Sequence, residues 1–183
     1  AMCGIVGAFG NHVNKLECSF QSAVLNLSHR GPDAQNYKVI NKKLLLGHSR
    51  LSILDLDHRA DQPMIDKKGN TLVFNGEVYN FQELKNDLSE YHFITSSDTE
   101  VLLYCIDKYG IGDALKKING MFAFLYWDED KKELIAARDR LGKKPLFYVK
   151  KNNQIFFASE AKVFSEFDID FEVNESAIVN FLF

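Results

Sequence analysis

Apolar and polar residues in the first half of the chain form patterns that predict alternating strands and helices. Residues 3–9 are an apolar run of strand length and predict a buried strand. Residues 15–29 carry apolar side chains at helical spacing, and the motif Arg30-Gly31-Pro32-Asp33 ends this helix because Gly and Pro both break it. Short apolar runs predict four further strands, at residues 35–40, 43–49, 50–54 and 71–75.

Helical spacing returns in the middle of the chain. Asn80 and Glu83 have the spacing of a capping box, so a helix is predicted to begin there and to run to about residue 89. A second helix is predicted over residues 99–109, because Gly110 follows as a stop signal. A shorter helix is predicted near residues 113–117.

The second half of the chain is rich in strands. Residues 120–127 are too apolar for a sheet with one wet face, so they predict a strand that is buried on both faces. Strands are also predicted at residues 133–138, 145–150 and 154–158, the last two as a hairpin. Many strands with helices grouped between them favour an α+β fold, in which helices cover antiparallel sheets.

Composition narrows the class of protein. The 183 residues suffice for one domain, and 46% hydrophobic with 26% charged residues is typical of a globular domain. The net charge is −3, and lysine pairs such as Lys42-Lys43 are isolated among acidic residues. These features argue against a nucleic-acid partner and against a membrane-binding surface, and no apolar run has the length of a membrane span.

Cysteine and histidine usage adds two expectations. The three cysteines are an odd number without a CxxC pair, which argues against a disulfide framework or a thiolate zinc site and fits a reducing cytoplasm. The N-terminus has no secretory signal pattern. The histidines and carboxylates have no ligand spacing, so no metal site is predicted.

Cys3 is the residue with the most distinctive position. If Met2 is removed, Cys3 becomes the first residue and carries a thiol and a free α-amine on one residue. Such a cysteine supplies a nucleophile and, through its amine, a base. Ala1 is interpreted as a cloning remnant. The alternative for Cys3 is a small core residue within the predicted strand 3–9.

Several motifs, in order, resemble those of one family across nearly the whole chain. They are Met2-Cys3-Gly4-Ile5-Val6-Gly7, Arg30-Gly31-Pro32-Asp33, Gly47-His48-Ser49-Arg50-Leu51-Ser52-Ile53, Gln62-Pro63-Met64, Phe74-Asn75-Gly76-Glu77-Val78-Tyr79-Asn80, Ser97-Asp98-Thr99-Glu100, Asp139-Arg140-Leu141-Gly142-Lys143-Lys144-Pro145-Leu146 and Phe157-Ala158-Ser159-Glu160. Together they resemble the glutaminase domain of class II glutamine amidotransferases, and within these the glutamine-dependent asparagine synthetases.

The resemblance implies a fold and an activity. The fold is the N-terminal nucleophile hydrolase fold, a four-layer αββα sandwich of two antiparallel sheets. The activity is hydrolysis of the glutamine side-chain amide to glutamate and ammonia through a cysteine thioester. Residues 1–183 would form this glutaminase domain, cut before a C-terminal synthetase domain that uses ATP and Mg²⁺ to amidate aspartate. No cofactor is implied for the glutaminase domain itself, and a homodimer is compatible with the sequence.

The resemblance also implies roles for particular residues. Cys3 is the nucleophile, and Asn75 and Gly76 form the oxyanion hole. Arg50 binds the carboxylate of glutamine, and Asp98 binds its ammonium group. Glu77 assists at the amino group, and Leu51 and Ile53 complete the substrate-binding set.

Each of these roles has a structural alternative. Asn75-Gly76 in isolation is typical of a tight turn after strand 71–75. Arg50 alone is typical of a surface residue at a strand end, and Asp98 of the N-cap of a helix that begins at Thr99. At the level of function, the same glutaminase could serve another acceptor, such as a sugar in surface-polysaccharide synthesis. A non-catalytic glutamine-binding module would keep Arg50 and Asp98 without using Cys3.

Overall fold

The computed structural model describes residues 3–52, 55 and 57–170. Its strands are, in chain order, β1 (Gly4–Gly10), β2 (Ala34–Asn41), β3 (Leu44–Arg50), β4 (Met64–Ile65), β5 (Thr71–Val78), β6 (Gly120–Asp128), β7 (Glu133–Arg138), β8 (Phe147–Lys151) and β9 (Gln154–Ala158). The α-helices are α1 (Glu17–Leu25), α2 (Phe81–Asn86) and α3 (Asp98–Lys117), and 3₁₀ turns span Val13–Leu16, His58–Ala60 and Ala161–Phe167.

The strands form two antiparallel sheets. Sheet one has the order β2-β3-β1-β9-β8, and sheet two has the order β4-β5-β6-β7. An apolar layer lies between the sheets and includes Ile5, Leu46, Val73, Leu125 and Trp127. Because side chains alternate along a strand, the neighbours of these residues face the opposite side of each sheet.

Helices cover the outer faces of both sheets. α1 and the 161–167 turn pack on sheet one through a cluster that contains Val6, Phe20, Phe156 and Phe164. α2 and α3 pack on sheet two through a second cluster, which contains Leu72, Phe74, Leu84, Leu102 and Phe124. The resulting order, helix–sheet–sheet–helix, confirms the predicted α+β four-layer sandwich. β6 is buried along most of its length because it has sheet one on one face and α3 on the other.

β5 is longer than the sequence predicts, and this changes the interpretation of Asn75-Gly76. The strand continues to Val78, and Gly76 pairs with Phe122 of β6. The tight-turn alternative is therefore wrong, and Gly76 does not adopt a left-handed φ. The glycine is needed for close approach instead, because a Cβ at this position would lie 2.1 Å from the carbonyl oxygen of Met121.

The predicted strand 50–54 is not formed in the part of it that the structure describes. β3 ends at Arg50, and Leu51 and Ser52 follow without strand structure. The main-chain N–H of Ser52 donates to the Asp33 carboxylate over 2.7 Å, so the backbone is bound to a side chain here rather than to a neighbouring strand. Residues 53 and 54 lie outside the described residues.

The helices also differ from prediction at their ends. α1 ends at Leu25 rather than at residue 29, and residues 26–30 continue as turns. Asn80 does not cap α2, because its side chain hydrogen-bonds the main chain of Lys117 and Asn119, each over 2.9 Å. The capping-box prediction is therefore wrong. The break at Gly110 is confirmed by its φ of 76°, and helical structure resumes directly after it.

Candidate active site

Cys3 lies directly before β1, beside the end of β3, which is the neighbouring strand in sheet one. The main-chain N–H of Leu51 points at the Cys3 sulfur, with a nitrogen-to-sulfur distance of 3.4 Å. The main-chain nitrogen of Cys3 lies 3.1 Å from the side-chain oxygen of Asn75. β1 and β5 belong to different sheets, so Cys3 and Asn75 meet only because the sheets are stacked.

The surroundings of the thiol disfavour its ionised form. Burial raises the pKa of Cys3 above its usual value, although the Leu51 N–H and the cations Arg50, Lys144 and Arg30 act in the opposite direction. A thiol with a raised pKa is protonated at neutral pH. A nucleophilic role for Cys3 therefore requires a base that removes its proton.

Asn75 presents an unused hydrogen-bond donor. Its side chain is 1% exposed, and its oxygen accepts the hydrogen bond from the Cys3 main chain. This bond fixes the orientation of the amide, and the amide nitrogen is left without a hydrogen-bond partner among the described residues. An unpaired buried donor costs free energy unless a ligand or water satisfies it.

The main-chain N–H of Gly76 points out from the edge of β5 that faces away from β6. The N–H groups of its alternate neighbours, Phe74 and Val78, donate to Gln62 and Asp98 over 2.6 and 2.9 Å. Because main-chain direction alternates along a strand, the Gly76 N–H points away from β6 between these two bonds. The Gly76 N–H therefore lies at the edge of β5 that faces away from β6, one residue after Asn75 with its unpaired amide nitrogen.

Arg50 is the last residue of β3, and its side chain is buried. Its Nη1 donates to the Asp61 carboxylate over 2.6 Å and to the carbonyl oxygen of Asp57 over 3.0 Å. Its Nη2 donates to the carbonyl oxygen of Asp55. The side chain is thus a buried cation held by the segment that follows β3, and the alternative of a surface arginine is wrong.

Asp98 is the first residue of α3 and is 6% exposed. The helix is capped by Ser97, whose hydroxyl oxygen accepts from the Thr99 N–H over 3.1 Å, so the N-cap alternative for Asp98 is wrong. Burial raises the pKa of Asp98, as does the nearby Glu77 carboxylate, while the hydrogen bond from Val78 acts against the rise. A carboxylate under this penalty is a favourable partner for a cationic ligand group.

One pocket brings these residues together. Seven of the eight predicted site residues line it, namely Cys3, Arg50, Leu51, Asn75, Gly76, Glu77 and Asp98. The eighth, Ile53, lies outside the described residues. The empty space among the lining groups, including the part that is open to solvent, is about 540 Å³. The pocket is thus lined by a buried cation and a buried carboxylate, together with a thiol and the residues that carry two hydrogen-bond donors, an amide nitrogen and a main-chain N–H.

Three residues outside the predicted site set support this pocket. Gln62 accepts from the Phe74 N–H and donates to the Thr99 hydroxyl over 3.3 Å, so it joins β5 to the start of α3. His48 lies 3.0 Å from the carbonyl oxygen of Phe74, and burial lowers its pKa to about 4, so it is neutral at neutral pH. In the sequence, His48 was marked only by its place in the motif that runs from Gly47 to Ile53.

Arg30 is the third supporting residue. Its Nε donates to the carbonyl oxygen of Cys3 and its Nη1 to Glu160, each over 3.0 Å. Burial of Glu160 opposes its ionisation, but hydrogen bonds from His29, Arg30 and Lys162 outweigh this and lower its pKa to about 2. Arg30 thus binds the carbonyl oxygen of Cys3, while Asn75 binds its main-chain nitrogen.

Two further observations concern the described residues as a set. Within residues 3–52, 55 and 57–170, no three His, Cys, Asp or Glu side chains are grouped so that they could hold a metal ion. In the same part of the chain, none of the helices combines the length and the apolar character needed to cross a membrane.

Comparison with known proteins adds a family match. Residues 2–183 match the family described as glutamine amidotransferase domain. The chain is 36% identical over 187 residues to asparagine synthetase [glutamine-hydrolyzing] 1 of Bacillus subtilis, an alignment that covers 99% of this chain and 29% of that protein. It is 40% identical over 147 residues to amidase chry2 of Gibberella zeae, with 79% and 22% covered.

Similarity extends to solved structures. Glutamine phosphoribosylpyrophosphate amidotransferase from B. subtilis, complexed with ADP and GMP, superposes with a TM-score of 0.73 at 26% identity. The match covers 89% of this chain and 43% of that one. The chain thus spans less than a third of the length of the two relatives above and less than half of this structural neighbour.

Proposed function

Because the chain belongs to the glutamine amidotransferase domain family, we propose that it hydrolyses the side-chain amide of glutamine at Cys3 and delivers the ammonia to an amidation. The observation that carries this proposal is the grouping of the Cys3 sulfur, the unpaired Asn75 amide nitrogen, Arg50 and Asp98 in one pocket. Free glutamine has a matching set of groups, namely an electrophilic amide carbon, a carboxylate and an ammonium group.

In the proposed reaction the sulfur attacks the amide carbon, and the carbonyl oxygen becomes an oxyanion. The carbon–nitrogen bond then breaks and leaves a thioester, while the thiol proton passes through the α-amine of Cys3 to the departing ammonia. Water attacks the thioester, releases glutamate and returns a proton to the sulfur. The Asn75 amide nitrogen and the Gly76 N–H would donate to the oxyanion in both steps.

We assign the two ends of the substrate by charge. Arg50 would bind the α-carboxylate, since a guanidinium matches a carboxylate with two parallel hydrogen bonds. Asp98 would bind the α-ammonium group, with Glu77 assisting beside it. Leu51 and Ile53 would contact the rest of the substrate. The burial of Arg50 and Asp98 supports this assignment, because partly desolvated charges attract ligand charges more strongly.

For the ammonia acceptor we propose aspartate, amidated by an asparagine synthetase domain that would use ATP and Mg²⁺. The name of the B. subtilis asparagine synthetase supports this choice. We expect a cytoplasmic enzyme, because the cysteines of the described residues are unpaired.

The test compares two forms of the protein, one that begins at Cys3 and one that retains Ala1 and Met2, with intact mass confirming each. The first should release glutamate and ammonia from glutamine. The second should be at least about 100-fold slower, because an amide nitrogen cannot act as the base. Cys3→Ala should be inactive, whereas Cys18→Ala, at an exposed position, should keep its activity.

Two results would contradict this function at different points. Full activity of the confirmed unprocessed protein would exclude the α-amine as the base. A processed protein that binds glutamine but neither hydrolyses it nor is labelled at Cys3 by an electrophilic glutamine analogue would be a binding module rather than a glutaminase.

A further inference from the structure

The Arg50 guanidinium, whose residue lines the pocket, forms an ion pair with the carboxylate of Asp61. A buried guanidinium requires counter-charge or hydrogen-bond acceptors, because its desolvation is otherwise costly. Asp61 forms an ion pair with Arg50 at 2.6 Å, and the side chains of both residues are largely buried. The aspartate is therefore part of the electrostatic surroundings of the proposed carboxylate-binding residue.

Asp61 is not among the residues that line the pocket. Its chain neighbours Ala60 and Gln62 line the pocket, whereas Asp61 lines a separate depression together with Lys38 and Met64. The backbone at Asp61 is extended, with φ −64° and ψ 144°, so its side chain points in a different direction from the side chains of its chain neighbours. The carboxylate consequently does not occupy the space that a ligand would enter.

Asp61 is itself held by two other elements. Its second carboxylate oxygen lies 3.1 Å from Nδ1 of His58 and 3.5 Å from the amide nitrogen of Asn36 in β2. The first oxygen remains directed at Arg50. The carboxylate thus connects β2, the end of β3 and the segment that follows β3 at a single point.

From this arrangement we propose that Asp61 is a positioning residue, which holds the Arg50 guanidinium toward the pocket and so sets the affinity for the α-carboxylate of the substrate. The inference rests on the proposed glutaminase function. It concerns the recognition of one end of the substrate and leaves the chemistry at Cys3 untouched.

The experiment compares glutamine with L-glutamine methyl ester, in which the carboxylate is masked while the side-chain amide remains. Ammonia release is measured for the processed protein and for Asp61→Ala. We expect the variant to lose about tenfold in kcat/KM for glutamine, mainly through KM, which corresponds to about 1.4 kcal/mol. Its kcat/KM for the ester should stay within about twofold.

Asp113→Ala is the matched control. Asp113 also forms an ion pair, with Lys116 at 2.8 Å, but both side chains are exposed and lie away from the pocket. This variant should leave both substrates unaffected. If Asp61→Ala does not fold, Asp61→Asn replaces it. A neutral hydrogen bond is about half as strong as a charge-assisted one, so the preference for glutamine over the ester should still fall, by about threefold.

The outcomes separate the inference from the function it rests on. Equal losses for both substrates would mean that Asp61 acts only on the general structure, and a lower KM for glutamine would mean that it competes with the substrate. Either result, or an unchanged preference, overturns the inference while glutamine hydrolysis by the unsubstituted protein stands. If the unsubstituted protein neither binds nor hydrolyses glutamine, both the function and the inference fail.

Discussion

Replacing Asn75 with aspartate should remove most of the glutaminase activity while leaving substrate binding largely intact. The wild-type amide oxygen accepts from the Cys3 main chain, which directs the amide nitrogen into the pocket without a partner. Aspartate keeps the size of the side chain and one acceptor for Cys3. It puts a second oxygen where the proposed oxyanion donor lies.

The magnitude follows from the loss of one donor. Removal of one preorganised oxyanion donor typically lowers kcat by about 10²–10³, or about 2.7–4 kcal/mol of transition-state stabilisation. The introduced carboxylate would also repel the developing oxyanion, so we expect at least this loss. The KM for glutamine should change only a few-fold, because Arg50 and Asp98 are unaltered.

The assay is steady-state release of glutamate from glutamine, with thermal unfolding followed by circular dichroism as a test of folding. Asn152→Asp is the control, because Asn152 lies in the exposed β8–β9 turn with a φ of 51°, a conformation that aspartate tolerates. If a folded Asn75→Asp protein retains kcat within about threefold of the wild type, Asn75 is not an oxyanion donor and the assignment of the site is wrong.

Two further predictions address the ammonium end of the pocket and the edge of β5. Asp98→Asn should raise the KM for glutamine by about tenfold or more, through the loss of a charge-assisted bond. Burial raises the pKa of Asp98, so the carboxylate loses its negative charge as pH falls through that raised pKa, and the wild-type kcat/KM should fall with it. The same pH profile in Asp98→Asn would contradict this assignment. Gly76→Ala should cost about 1–3 kcal/mol in the free energy of unfolding, measured with urea, and most of the activity, because its Cβ would lie 2.1 Å from the carbonyl oxygen of Met121. Gly112→Ala is the control, since nothing lies within 4 Å of its Cβ position, and equal stability of the two variants would refute the argument from close approach.

The titration of Asp98 also has a consequence for stability. A carboxyl whose pKa is raised in the folded state binds its proton more tightly there than in the unfolded chain. The stability that it contributes is present at low pH and is lost as pH rises through the raised pKa. Ionisation of Asp98 therefore lowers the stability of the folded protein relative to its state with Asp98 protonated.

Local patterns alone were enough to predict most of the strands and the class of fold. The apolar run at residues 120–127 indicated a strand buried on both faces, and β6 is sandwiched between sheet one and α3. The break at Gly110 was evident because glycine is a helix stop. Patterns of this kind report what a residue requires from its immediate neighbours, which is why they are readable without the fold.

Element ends were less predictable, because distant partners decide them. Asn80 and Glu83 had the spacing of a capping box, yet the Asn80 side chain binds main-chain groups at Lys117 and Asn119. Asn75-Gly76 had the composition of a turn, yet pairing with β6 carries the strand through both residues. In each case a long-range hydrogen bond competes with a local one and wins.

By itself, the sequence determined which residue types were available for chemistry, since the thiol, the guanidinium, the carboxylate and the amide all lie in motifs that can be read along the chain. Only the tertiary structure decided how they are used. Cys3, Asn75, Arg50 and Asp98 come from two sheets and a helix, and only the stacking of those layers gives Asn75 an unpaired donor and buries both charges. Asp61 behind Arg50 is visible in no pattern, because an ion pair between an aspartate and an arginine eleven residues earlier depends on how the intervening chain folds back.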